Sequence, residues 1–119
     1  MKPKPDPHRF DDLFSAFGRV TLKRLFSGEG IYADGKIIGI VIRDVVYLKT
    51  DEASRAAFKS ESCKPFYFTG GGKRIASSYY AIPERLYDDS EELAEWARAA
   101  LNVSGAKPQK KKKRYGRSP

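Results

Sequence analysis

The sequence is poor in the residues that build catalytic and metal sites. Among its 119 residues it has one cysteine, Cys63, and one histidine, His8. A single cysteine excludes an internal disulfide and a zinc site with several cysteines, and a lone histidine offers no second imidazole ligand. No hydrophobic run approaches the roughly 18 to 20 residues of a membrane-spanning helix, and residues 1–5 are not followed by the apolar segment of a secretory signal. We therefore expect a cytoplasmic protein that uses no metal and no cofactor.

Acidic residues are absent from residues 107–119, which hold seven basic side chains. The whole chain has 23 basic and 15 acidic residues and a formal net charge of +8, whereas residues 7–106 carry 14 of each sign. Only residues 106–119, the basic tail, therefore offer a dense positive field to a polyanion. The predicted nucleic-acid contacts of the tail are Lys107, Lys110, Lys111, Lys112, Lys113, Arg114 and Arg117. Secondary contacts are predicted at Lys23, Arg24, Lys73 and Arg74.

Residues 20–50 are rich in β-favouring residues, and we expect the other elements of the fold to pack against the strands of this segment. They contain four β-favouring runs: Val20–Phe26, Gly30–Asp34, Ile37–Arg43 and Val45–Thr50. Asp34-Gly35 predicts a type I′ hairpin turn, because glycine accepts a positive φ. The short connections favour an antiparallel meander, and the nearly continuous apolar run Ile37–Ile42 predicts a central strand.

Helical spacing of apolar residues predicts three helices around this meander. The first has the stripe Phe10, Leu13, Phe14 and Phe17, and Gly18 ends it. The second begins at a cap on Asp51 and runs to about Lys59. The third follows Asp88-Asp89-Ser90, and its stripe consists of Leu93, Trp96, Ala97, Ala100 and Leu101. Trp96 is therefore predicted to be a core residue.

A second hairpin is predicted from Phe66–Thr69 and Arg74–Tyr80, joined by Gly70–Lys73. The glycine run does not match a phosphate-binding loop, because it leads into another strand rather than a helix. It is a hairpin tip whose cations are suited to touching a phosphate backbone. Strand alternation turns half of the aromatic residues inward, which favours core and cross-strand packing of the tyrosines over base stacking.

The fold predicted from these elements is α+β: a mostly antiparallel sheet of about six strands, built from the meander and the later hairpin, packed by about three helices. An alternative is a second small sheet formed by the later hairpin. The predicted organisation is a flexible N-terminus over residues 1–6, a folded domain over residues 7–105 and a disordered basic tail over residues 106–119.

The sequence shows no arrangement typical of an enzyme. Asp88, Asp89, Glu91, Glu92 and Glu95 are adjacent carboxylates at a helix start, where such residues normally favour the positive helix end. Ser27 lacks the glycine that leads a nucleophile elbow. We therefore expect a protein without catalytic activity.

Several segments of the chain resemble the N-terminal domain of the TfoX/Sxy competence regulators. They are Arg24–Gly35, Val46–Asp51, Asp51–Phe58, Lys64–Phe68 and Ser77–Pro83, within a region of roughly residues 10 to 101. The chain departs from the family at Leu25-Phe26-Ser27, where Met-Phe-Gly is common, and at Arg43-Asp44, where Asp-Gly is common. Leucine conserves the volume of methionine, and aspartate tolerates left-handed backbone, so both departures are compatible with the fold.

The resemblance implies a bacterial transcription-regulation setting and a partner in the transcription or competence machinery. Larger family members carry a second domain where this chain has the basic tail. We therefore expect a stand-alone regulatory or protein-interaction module, with a tail that adds nonspecific nucleic-acid affinity. An RNA- or ribosome-associated binding module is the alternative, because cationic tails bind RNA and DNA alike.

Overall fold

The computed structural model describes residues 8–25 and 28–105. Its strands are β1 (Thr21–Leu25), β2 (Gly28–Ala33), β3 (Lys36–Ile42), β4 (Val45–Lys49), β5 (Pro65–Gly70) and β6 (Lys73–Ala81). Its α-helices are α1 (Glu52–Ser60) and α2 (Ser90–Gly105), and a 3₁₀ helix spans Glu84–Asp88. The predicted residues 1–6 and the basic tail lie outside the described residues.

The strands form one six-stranded antiparallel sheet in the order β1-β2-β3-β4-β6-β5. The predicted α+β class and the meander are confirmed. The alternative of a separate small sheet is wrong, because β6 pairs with β4 through Tyr79, Tyr80 and Ala81. The later hairpin thereby extends the sheet, with β5 at its edge.

The prediction of about three helices is wrong, because the described part of the chain has two α-helices. The N-terminal segment instead mixes two kinds of turn: Asp11 N donates to the carbonyl of His8, three residues back, and Phe14 N donates to that of Phe10, four residues back. Asp11, Asp12 and Ser15 are poor helix formers, because their side chains compete for backbone hydrogen bonds. The apolar spacing nevertheless directs this segment against the core, because Phe14 is fully buried there.

Local turn and cap chemistry agrees with the sequence. Asp34 and Gly35 have φ of 53° and 75°, the two positive values of a type I′ turn. Arg43 and Asp44 adopt the same left-handed geometry at φ of 54° and 64°, without a glycine. Asp51 caps α1 as predicted, and the Asp51 side chain accepts a hydrogen bond from Ser54 N at 2.8 Å.

The hydrophobic core lies between one face of the sheet and the helices. The buried strand residues include Ile31, Ile38, Val41, Val46, Leu48 and Tyr80, and the helices add Phe58, Leu93, Ala97 and Ala100. Trp96 packs against this cluster but is only partly buried, which corrects its prediction as a core residue. Its ring meets that of Phe58 edge to face, with the centroids 4.7 Å apart.

Candidate interaction surface

The sheet face opposite the core carries mostly apolar side chains. Because side chains alternate along a strand, the core positions Val46 and Leu48 direct Val45 and Tyr47 to this opposite side. We call this side the open face, because the buried side chains of both helices belong to the core on the other side. Its apolar and aromatic members include Tyr32, Ile37, Ile40, Ile42, Val45, Tyr47, Phe66 and Tyr79, at the positions that alternate with the core residues. Lys23 and Lys49 lie on the same side.

Two glycines of β2 help to bury parts of the open face, which neither helix of the described residues covers. A Cβ added to Gly28 would collide with the carbonyl oxygen of Val41 and lie 2.7 Å from Cδ1 of Ile42, and one added to Gly30 would lie 2.8 Å from a ring carbon of Tyr32. The β3 backbone and neighbouring side chains therefore occupy the space that a β2 side chain would fill. Ile42 is accordingly only 8% exposed, and Ile40 only 2%.

Aromatic residues surround these isoleucines. The rings of Tyr47 and Phe66 meet edge to face with centroids 5.5 Å apart, which joins β4 to β5 across this side. Burial raises the pKa of the Tyr79 phenol, and the nearby phenol of Tyr32 raises it further. The Tyr79 phenol therefore stays neutral at physiological pH, and the open face combines apolar rings with phenol hydroxyls that can donate and accept hydrogen bonds.

The β5–β6 hairpin projects beyond β4 as an arm. The ladder between β4 and β6 ends at Tyr79, and Thr50 adds hydrogen bonds from its N and Oγ1 to the carbonyl of Ser78. Residues 67–76 therefore lie past the last ladder pair with β4, and we call them the arm. Its tip is Gly71-Gly72, with φ of 58° and 80°.

The arm carries exposed hydrophobic side chains on both faces. Tyr67, Phe68 and Ile75 are 40%, 46% and 41% exposed, and Val45 is the other large hydrophobic residue exposed to this degree within residues 8–25 and 28–105. Phe68 and Ile75 are cross-strand partners that continue the open face. Tyr67 lies on the opposite side, where the Arg74 guanidinium stands 4.2 Å above its ring.

The structure separates the secondary cations predicted from the sequence. Lys23 and Arg24 lie on β1 at one edge of the sheet, and Lys73 and Arg74 lie on the arm at the other side. Lys23 Nζ lies 5.2 Å from the Tyr32 ring centroid, so it belongs to the open face near β1. These four residues do not form one basic patch. The seven predicted tail contacts lie outside the described residues.

The ionisable groups weighed as reactive sites have structural contacts. Arg85 donates to Glu61 and Glu92 and lowers the pKa of both carboxylates, which links α1 to the start of α2. Asp89 Oδ1 accepts a hydrogen bond from Glu92 N at 3.0 Å and thus caps α2. Burial raises the pKa of the Cys63 thiol, the direction opposite to activation.

Two further ionisable residues, His8 and Arg9, also make structural contacts. His8 Nδ1 lies 3.2 Å from Asp11 Oδ2 at an exposed site. Arg9 pairs with Glu29 and, at 3.5 Å, with Asp44, which joins the N-terminal segment to the meander. Within the residues that the structure describes, no three His, Cys, Asp or Glu side chains gather as metal ligands.

The arm is the feature that the sequence did not reveal. The available signal was the uncharged run Pro65–Gly70, in which Tyr67 and Phe68 are adjacent and so must face opposite sides of the strand. The tyrosines were expected to pack in the core or across strands: Tyr80 is buried in the core, whereas Tyr67 contacts Arg74 on the neighbouring strand and stays 40% exposed. The difference arises because β4 ends before it reaches this half of β6.

A comparison with protein families identifies the chain over most of its length. The model described as the TfoX N-terminal domain matches residues 12–104, a range that begins before β1 and ends within α2. A search of curated proteins found no match. None of the helices described here is both long and apolar enough to cross a membrane.

Proposed function

Because the chain belongs to the TfoX N-terminal domain family, we propose that it is a regulatory module without catalytic activity that acts by binding another protein in the cytoplasm. The family makes a component of the transcription or competence machinery the expected partner. The binding surface in this proposal is the open face together with the Phe68 and Ile75 side of the arm.

The observation that carries the proposal is the exposure of Phe68 and Ile75, which are cross-strand partners on one side of the sheet. Large apolar side chains that stay exposed side by side are typical of protein-binding sites. Full burial of one such side chain contributes about 1.5 to 3 kcal/mol, and each of these two is more than a third exposed. The neighbouring tyrosines supply the aromatic and hydrogen-bonding groups in which interfaces are enriched.

Two further features support a binding role over a catalytic one. Glu61, Glu92 and Asp89 hold helices in place, and the raised pKa of Cys63 disfavours a thiolate nucleophile. The body of the chain carries equal numbers of positive and negative side chains over residues 7–106. Nonspecific nucleic-acid affinity is therefore assigned to the basic tail, which brings seven cations.

An RNA-binding module is the second candidate, and the pairing of Arg74 with Tyr67 favours it. Single-stranded nucleic acids stack their bases on exposed aromatic rings beside cations. This pair lies on the side of the arm opposite Ile75. The two sides of the arm therefore separate the two candidate functions.

Site-specific photo-crosslinking on the two sides of the arm tests the proposal. A photoreactive amino acid replaces Ile75 on the open face or, as a matched control, its neighbour Ala76, which is also exposed but lies on the Tyr67 side. In cells that naturally make the protein, we expect crosslinks to protein from position 75 and few from position 76. Crosslinks to RNA from position 76 alone support the second candidate, and an absence of crosslinks from both positions overturns both.

A further inference from the structure

The two edges of the sheet differ in how well they are protected against pairing with another strand. Each edge strand, β1 and β5, has a ladder partner on one side only in the strand order. In an antiparallel ladder, every second residue of such a strand directs its N–H and C=O away from its partner. Natural proteins protect these groups with charged residues, proline or covering segments.

We propose that the outer edge of β5 pairs with β5 of a second copy of this chain, forming a two-fold symmetric dimer with one continuous antiparallel sheet. This inference goes beyond the proposed function, because it uses the backbone edge of the sheet rather than its open face. The same edge geometry also fits a strand from a different protein, but the absence of charge on β5 and the fit of its sequence to its own copy favour a second copy.

The β5 edge carries no charge. Pro65–Gly70 contains no acidic or basic residue, and its proline stands at the first position, where it blocks only the start of the strand. Tyr67 and Phe68, in the middle of the strand, are 40% and 46% exposed, so side chains above and below the edge are accessible. A long, exposed, apolar edge of this kind is a template for strand pairing.

The β1 edge, in contrast, carries two adjacent cations. Lys23 and Arg24 are both exposed on the strand Thr21–Leu25. Antiparallel pairing of β1 with itself would place these cations near their copies, and like charges opposite one another destabilise a sheet. Self-pairing is therefore disfavoured at β1, whereas β5 can face its own copy without repulsion.

The sequence of β5 also fits its own copy in one register. If the two-fold axis passes at Phe68, this residue faces Phe68 of the second copy, and Tyr67 faces Thr69. Phe66 then faces Gly70, whose missing side chain leaves room for the ring. Aromatic pairs and aromatic residues opposite glycine are favourable cross-strand neighbours. In this dimer the open faces of the two copies join on the same side of the sheet.

Charge complementation at Phe68 tests this inference on the full-length chain. We expect the wild type to be a dimer by sedimentation equilibrium, and Phe68→Lys and Phe68→Glu each to be monomers, because each places like charges opposite one another. An equimolar mixture of the two variants should regain the dimer mass. Val45→Lys, a matched change on the open face away from the edge, should stay dimeric. Circular dichroism melts verify that all variants remain folded.

Disulfide trapping gives an independent measurement of the register. With Cys63 replaced by serine, Phe68→Cys should form an intermolecular disulfide, and Lys23→Cys on the β1 edge should not. A monomeric wild type, a dimer that survives Phe68→Lys, or a mixture that fails to regain the dimer would each overturn the inference. A monomeric protein that still gives protein crosslinks from position 75 would overturn the dimer and leave the proposed function standing.

Discussion

Removing the indole of Trp96 tests how α1 and α2 are held together. Trp96 meets Phe58 at 4.7 Å between ring centroids with an interplanar angle of 86°, and its Nε1 donates to Glu92 at 3.3 Å. A fully buried tryptophan truncated to alanine costs about 3 to 5 kcal/mol. Because Trp96 is only partly buried, we expect Trp96→Ala to lower the free energy of unfolding by roughly 2 kcal/mol, with about 0.5 to 1.5 kcal/mol from the aromatic pair.

Thermal and denaturant unfolding of a double-mutant cycle separate these contributions. The cycle combines Trp96→Ala with Phe58→Leu, which keeps most of the buried apolar volume at position 58. We expect Trp96→Ala to lower Tm by about 8 to 16 °C in a domain of this size. Glu95→Ala, on the exposed side of α2, should leave Tm nearly unchanged. A Tm of Trp96→Ala near the wild-type value, or a coupling energy below about 0.3 kcal/mol, would refute this account of the helix contact.

Two further predictions concern the α1 cap and the basic tail. Asp51→Ala should lower the free energy of unfolding at neutral pH by about 1 kcal/mol. The hydrogen bond from Ser54 N lowers the pKa of Asp51 below its ordinary value of 3.8. The extra stability of the wild type over Asp51→Ala should therefore be complete above pH 3.8 and should shrink as pH falls through the lower pKa of the folded state. Denaturant melts in which the two proteins differ in stability by the same amount at every pH would contradict this prediction. For binding to duplex DNA, seven tail cations limit the slope of log K against log salt concentration to about −6. Changing all seven to glutamine should abolish DNA binding. Salt-resistant DNA binding by that variant would place the nucleic-acid contact on residues 7–105 instead of the tail.

Much of the architecture was predictable because its causes are local. The turn at Asp34-Gly35 depends on two backbone conformations, and the α1 cap depends on a side chain three residues from its donor. The stripe that includes Leu93 and Ala97 needs only helical spacing, and both residues are buried. Local chemistry of this kind is contained in the sequence, and so are the segments that resemble the TfoX family.

The candidate interaction surface depended on tertiary structure. No local sequence pattern predicts that the pairing of β4 with β6 ends at Tyr79. Phe68 and Ile75 are exposed on the arm because β4 does not reach them. The degree of burial of Trp96 likewise depends on what packs beside α2. Local sequence was enough to predict the strands, α1, α2 and the charge of the tail, but not the mixed turns of the N-terminal segment, which was predicted as a third helix. The long-range pairing of strands and the placement of both helices on one face set which apolar residues remain at the surface, because both depend on contacts between residues far apart in the chain.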